Sequence, residues 1–157
     1  MKDSQLTELH EINGRNLFNG FVNTSTNWNI EKWSCNRFSS WDVSLTTGAT
    51  ADFVITEIKT VTNYDKDQFS SWILEQKKLK RLQDLKAKMQ EKHPTKSIYI
   101  HYVNFYKDST QPPRIWDITN LQDAGVFKYF PINSNTDNPE YITKNVIYLN
   151  NNDAINL

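Results

Sequence analysis

A chain of 157 residues with 38% apolar and 13% aromatic side chains has enough material for one domain with a real core, and is too apolar to be disordered throughout. Its 18 basic and 18 acidic residues cancel, which argues against a surface coated in cations for non-specific nucleic-acid binding. Cys35 alone excludes an internal disulfide framework, and with only His10, His93 and His101 no spacing reads as zinc, so a metal site would be carboxylate-rich and suit magnesium or manganese.

Taken from the N-terminus, Ser4 to about Phe18 reads as a helix with Asp3 or Ser4 as N-cap and an imperfect stripe of Leu6, Leu9, Ile12 and Leu17; Gly14 and Gly20 weaken its end. Residues 21–38 alternate aromatic and polar groups, which predicts a short strand amid loop. Trp28, Trp33 and Trp41 pack in the core or, alternatively, stack on bases. The runs 40–45 and 51–61 both read as strands, the second rich in β-branched and aromatic residues. Between them, Thr46-Thr47-Gly48-Ala49-Thr50 is turn-like. A hairpin folded symmetrically about Ala49-Thr50 would set Asp42 opposite Glu57.

Residues 67–90 are expected to form one long helix, because Phe69, Trp72, Ile73, Leu79, Leu82, Leu85 and Met89 recur at spacings of three and four, and His93-Pro94 ends it. On that reading Gln76 lies on the apolar face, either as an active-site contact or as a satisfied structural amide. From Glu75 to Lys96 there are eight basic and three acidic side chains, a local excess of five positive charges. This is either a phosphate-facing stripe, with Lys77, Lys78 and Arg81 its nearest members, or the solvated face of an amphipathic helix. The apolar strand 97–105, a turn through Pro112-Pro113 and the short strand 114–118 then read as a hairpin at the far side of a sheet. The Asn-rich remainder holds one apolar run, 145–149, and is assigned to a C-terminal extension of about 119–157. No run reaches the ~18 apolar residues of a membrane span, and the start lacks a charged-then-apolar leader, so a cytoplasmic, soluble, single-domain protein with no membrane partner is expected.

The chemistry concentrates at Asp42 and at Glu57-Ile58-Lys59. In a strand Phe53, Ile55, Glu57 and Lys59 share one face, so two ionisable groups end an otherwise apolar row. Burying such a pair is costly without a partner or a purpose, whereas an exposed ion pair would contribute only ~0–1 kcal/mol.

An Asp on one strand, Glu-x-Lys on the next, then a helix and an apolar strand resemble the PD-(D/E)xK phosphodiesterase superfamily, the nuclease fold of many restriction enzymes and Holliday-junction resolvases. The resemblance runs from about residue 4 to about residue 118, with Trp41 in place of the motif's loosely kept Pro. It implies an α/β, restriction endonuclease-like αβββαβ core, a mixed central sheet flanked by helices. It implies a magnesium- or manganese-dependent DNA endonuclease in which Asp42, Glu57 and the backbone carbonyl of Ile58 hold the metal and Lys59 orients or deprotonates water. A further acid from the first helix, Glu11 or else Glu8, and a site-facing Gln76 on the second helix would also follow family practice. DNA is the implied partner, and a homodimer is left open because many relatives cut two strands as dimers. The alternative is a catalytically inactive nucleic-acid- or protein-binding domain on the same fold.

Overall fold

A computed structural model describes residues 3–36, 39–122, 125–131 and 140–156. Phe38 and Pro139 lie outside the described residues, as do the side chains of the expected N-cap, Asp3 or Ser4. The chain is an α/β protein with a mixed sheet and two helices: α1 (Asp3–Ser25), β1 (Trp28–Trp33), β2 (Val43–Thr47), β3 (Phe53–Thr60), β4 (Ser71–Glu75), α2 (Gln76–Lys92), β5 (Ile98–Phe105), β6 (Arg114–Asp117), β7 (Val126–Pro131) and β8 (Tyr141–Asn150). The main sheet has the order β1-β2-β3-β5-β6, in which only β3 and β5 are parallel; a second, antiparallel sheet has the order β4-β8-β7.

Because β3 and β5 lie in the middle of the main sheet, both of their faces are covered, and their sequences are correspondingly apolar on both sides. One face, with Val54, Val103 and Phe105, packs against Phe18 and Val22 of α1. The other, with Ile55, Ile100 and Tyr102, packs against Leu79 and Leu82 of α2 and against Trp72, Leu74, Ile147 and Leu149 of the small sheet. The β2–β3 register pairs Val43 with Thr56 and Thr46 with Phe53. Extended by one residue, it sets Asp42 across from Glu57, as the hairpin about Ala49-Thr50 requires. Gly48 is obligatory in this turn, since a Cβ there would lie 2.5 Å from the Asn27 carbonyl oxygen.

Helix α1 runs seven residues past its expected end at Phe18. Gly14 does not break it because the helix uses that position to approach the sheet: a Cβ would meet the Thr60 and Ile58 methyls at 3.2 and 3.3 Å. The apolar positions Phe18 and Val22 then carry the stripe on at a spacing of four. Trp28 and Trp33 are half-buried against this helix. Trp28 lies edge-on to Phe21, Trp33 edge-on to Phe18, and Trp28 also contacts His101 at 5.5 Å, so core packing accounts for them.

The long helix expected over 67–90 is two elements. Ser71–Glu75 is strand β4 and the helix begins only at Gln76. Trp72 and Leu74 are buried at a spacing of two, the period of a strand, and they pair with Leu149 and Ile147 of β8. Their apparent helical spacing to Leu79 is a coincidence of a short apolar run, decided by a partner strand more than seventy residues away. The same pairing draws the run 145–149 into the core: Val146, Ile147 and Leu149 are buried in β8, and the Trp116 indole donates to the Asn150 carbonyl at 2.8 Å. Leu149→Ala is therefore expected to destabilise the fold by about 2–5 kcal/mol in urea denaturation, the cost of a core cavity, where a detachable extension would lose far less.

Candidate functional site

Asp42 immediately precedes β2 and is held by three backbone bonds. Its N–H donates to the Thr56 carbonyl (2.9 Å), its carbonyl accepts from Ser34 N–H (2.8 Å), and its carboxylate Oδ2 accepts from Ile58 N–H (2.7 Å). The carboxylate thus replaces a ladder partner where β2 has not yet begun, which fixes it over the Glu57-Ile58-Lys59 segment. Glu57 turns its side chain to the α2 side and is 13% exposed. Its Oε1 lies 2.6 Å from Lys78 Nζ, a residue of the first turn of α2.

The two carboxyl groups meet. Burial and then the Asp42 charge push the Glu57 pKa from 4.5 up to about 8, and a hydrogen bond between the two carboxyl groups raises Glu57 further while lowering Asp42. Burial also raises Asp42, opposed first by the Ile58 N–H and then by the charges of Lys78 and Arg15. Lys59 stands at the rim. Its side chain is exposed, yet the protein around it removes enough solvent to lower its pKa, with the charge of Glu75 opposing the shift.

Two small clefts open beside this cluster. One, of about 120 Å³, is bordered by Glu11, Arg15, Asp42, Glu57, Ile58 and Lys78; the other, of about 230 Å³, has Glu11, Arg15, Asp42, Ile58 and Lys59 in its wall. Glu8 and Glu11 are both exposed, but only Glu11 borders the two clefts, from α1. Arg15, one helical turn from Glu11 on the same face, reaches the same place with its guanidinium 5.5 Å from the centre of the Trp33 ring.

Sequence reasoning missed Arg15, for which the signal was the Glu11–Arg15 spacing of four beside a glycine that lets the helix approach the sheet. Lys78, one of the three cations expected to face phosphate, pairs with Glu57 at the site. Lys77 and Arg81, its neighbours in that grouping, are exposed on α2. Gln76, expected on an apolar face beside Trp72 or Ile73, is the first residue of α2 and borders a groove between that helix and β8, with Lys77, Lys80 and Lys144. It is not part of the wall around Asp42 and Glu57, because the helix starts nine residues later than its periodicity indicated.

Among the described residues no group of three or more His, Cys, Asp or Glu side chains converges on one point. Two adjoining carboxyls suit magnesium nevertheless, since that ion commonly takes one or two protein carboxylates and completes its shell with water and substrate phosphate. No helix among the described residues is long and apolar enough to cross a membrane. No protein-family model, curated protein or solved structure matches this chain.

The Glu57 shift has a measurable consequence. A carboxyl that holds its proton more tightly when folded favours the folded state below about pH 4.5, and that advantage is lost as the pH rises to about 8. Asp42 acts in the same direction. Thermal unfolding in EDTA should therefore show stability falling from pH 4.5 to pH 8, and Glu57→Gln should flatten the slope over that window.

Proposed function

We propose that this chain is a divalent-metal-dependent DNA endonuclease of the PD-(D/E)xK type. The observation that carries the reading is the junction of Asp42 and Glu57 at the end of a hairpin, with Lys59 two residues on along the same strand face. The order of elements supports it: one helix, three antiparallel strands, a second helix and a strand parallel to the third follow the αβββαβ plan, with β4 inserted before the second helix.

In this reading Asp42 and Glu57, with the Ile58 carbonyl, would hold magnesium or manganese, which when bound supplies charge stabilisation at the phosphoryl oxygens and an acidified water. The remaining work belongs to the chain. Asp42 is pre-set by the Ile58 N–H and so needs no reorganisation to present its free oxygen. Glu57, its pKa raised to about 8, would have to be deprotonated to hold a cation, which would make metal binding more favourable as pH rises. Lys59, its pKa lowered, either orients and deprotonates the attacking water or stabilises the developing charge. Lys78 can move from the Glu57 carboxylate to a phosphate oxygen. Glu11, on the α1 wall of both clefts, would be a further acid available to the metal.

A second reading rests on one specific observation: Lys78 and Arg15 already balance the two carboxyls. Such self-neutralised sites are at home in a domain that has kept the fold for binding alone. The two readings differ in their response to metal. A catalytic site should be stabilised by millimolar magnesium, with the midpoint temperature rising as the ion is titrated in, and Glu57→Gln should abolish the rise.

Asp42→Asn and Glu57→Gln should each eliminate magnesium-dependent cleavage of plasmid or branched DNA while circular dichroism remains that of the wild type. Cleavage at the wild-type rate by either variant would refute its assigned role. Lys59→Ala should slow single-turnover cleavage by roughly ten- to ten-thousand-fold, with a smaller loss of DNA affinity.

A further inference from the structure

A larger cleft in contact with the site lies on its far side, between the β3–β4 connection and strands β7 and β8. It encloses about 870 Å³ and is bordered by Lys59, Tyr64, Phe69, Lys128, Phe130 and Tyr148, among others. Lys59 and Thr60, at the end of β3, border both this cleft and the one beside Asp42.

Two features distinguish it from an ordinary surface groove. The first is its aromatic faces: Tyr64 and Phe69 are each 43% exposed and Tyr148 is 49% exposed, with Tyr64 and Phe69 edge-to-face at 5.1 Å. Three large rings held half in water around one cleft leave flat apolar surface without a cover. The second is its charge. Lys59 and Lys128 border the groove, and Lys128 is directly opposed across the β7–β8 ladder by Lys144, which borders the neighbouring groove beside Gln76, an arrangement that like charges disfavour. The Lys128 and Lys144 ammonium groups lie over the Phe130 ring, at 5.9 and 5.8 Å, and Lys128 is also 5.7 Å from the Tyr148 ring centre. Lys144 has an acidic partner, Glu75 at 2.7 Å, whereas among the described residues Lys128 has ring faces rather than an acid for neighbours.

Exposed π-faces interleaved with cations are the recognition chemistry of a single strand, whose bases are free to stack while its phosphates meet lysines. A duplex presents its phosphates but keeps its bases stacked inside, and it would leave the rings uncovered. We propose that this groove binds a single-stranded DNA segment and leads it past Lys59 to the Asp42–Glu57 site, so that the preferred substrate carries an unpaired strand. The proposal rests on the nuclease reading for the direction in which the strand is led, but the groove's binding chemistry is independent of cleavage.

The test is fluorescence-anisotropy binding of labelled dodecameric oligothymidylate in EDTA, where no metal-dependent cleavage occurs, beside a duplex of the same length. The paired substitutions Tyr64→Leu and Tyr148→Leu keep apolar bulk at exposed positions. Each is expected to weaken oligothymidylate binding by roughly five- to a hundred-fold, the effect of losing one base stack, and to leave duplex binding unchanged. Lys128→Gln should make the dependence of log affinity on log salt shallower by about 0.7, the value for one single-strand phosphate contact. Absence of oligothymidylate binding, wild-type binding by the tyrosine variants together with an unchanged salt slope, or equal losses for single strand and duplex would each overturn the proposal. Wild-type cleavage in magnesium is scored separately. Cleavage that occurs while the groove variants bind like wild type removes the groove and keeps the nuclease; binding lost in the groove variants, with no DNA of any form cleaved by the wild type, removes the nuclease and keeps the groove.

Discussion

The eight-residue parallel pairing of β3 with β5, from Phe53–Ile98 to Thr60–Phe105, is the constraint from which the rest of this structure follows. A parallel pair cannot be closed by a turn, so the chain between them must cross over a face of the sheet, and it does so as β4 and α2. That crossover covers one face and leaves α1 to cover the other. It also brings the start of α2 down beside the end of β3. Lys78 meets Glu57 there, and the polar end of an apolar strand becomes the floor of a cleft rather than a solvated edge.

Within that frame Asp42 is held by backbone bonds and the Glu57 side chain by the Lys78 ammonium. Asp42 closes the gap left where β2 begins one residue late, accepting the Ile58 N–H that a strand partner would otherwise take. Its position is therefore tied to the hairpin register and cannot drift without breaking the ladder. Glu57 is brought to it by the same register, at an electrostatic cost visible in a pKa near 8. Folding supplies the means to hold an unfavourable arrangement, and such arrangements are a common mark of sites that do chemistry or bind ions. Structural ion-pair networks also perturb pKa values, and the Lys78–Glu57 contact is such a pair, so the response to metal is the property that separates the two roles.

The small sheet β4-β8-β7 has two functions in the architecture. Its inner side, with Trp72, Leu74, Ile147 and Leu149, completes the core beneath α2. Its outer part carries the β7–β8 hairpin beyond the core, where Phe127 and Tyr129 are largely exposed and Lys128 and Lys144 oppose each other. A segment that looks like an appendix in the sequence therefore both stabilises the domain and walls a groove beside the candidate site.

Local chemistry alone determined a good deal. The turn residues Gly48 and Ala49, the β-branched run Phe53–Thr60 and the uninterrupted apolar run Ile98–Phe105 specify their elements through short-range sterics and patterning, and the hairpin register that sets Asp42 opposite Glu57 follows from them. Glu57 and Lys59 share a strand face for the same reason. Tertiary structure decided the rest. Ser71–Glu75 carries spacings compatible with either helix or strand, and only pairing with β8 resolved it. That choice moved the start of α2, took Gln76 out of the site wall and set Lys78 on Glu57. Gly14 reads as a helix breaker until β3 lies against it, when its missing side chain becomes the reason the helix continues. Arg15, likewise, became a neighbour of Asp42 only through that close approach. Periodicity reports which residues lie on one face of their own element, but which face meets which partner depends on contacts tens of residues apart, and those contacts built the cleft.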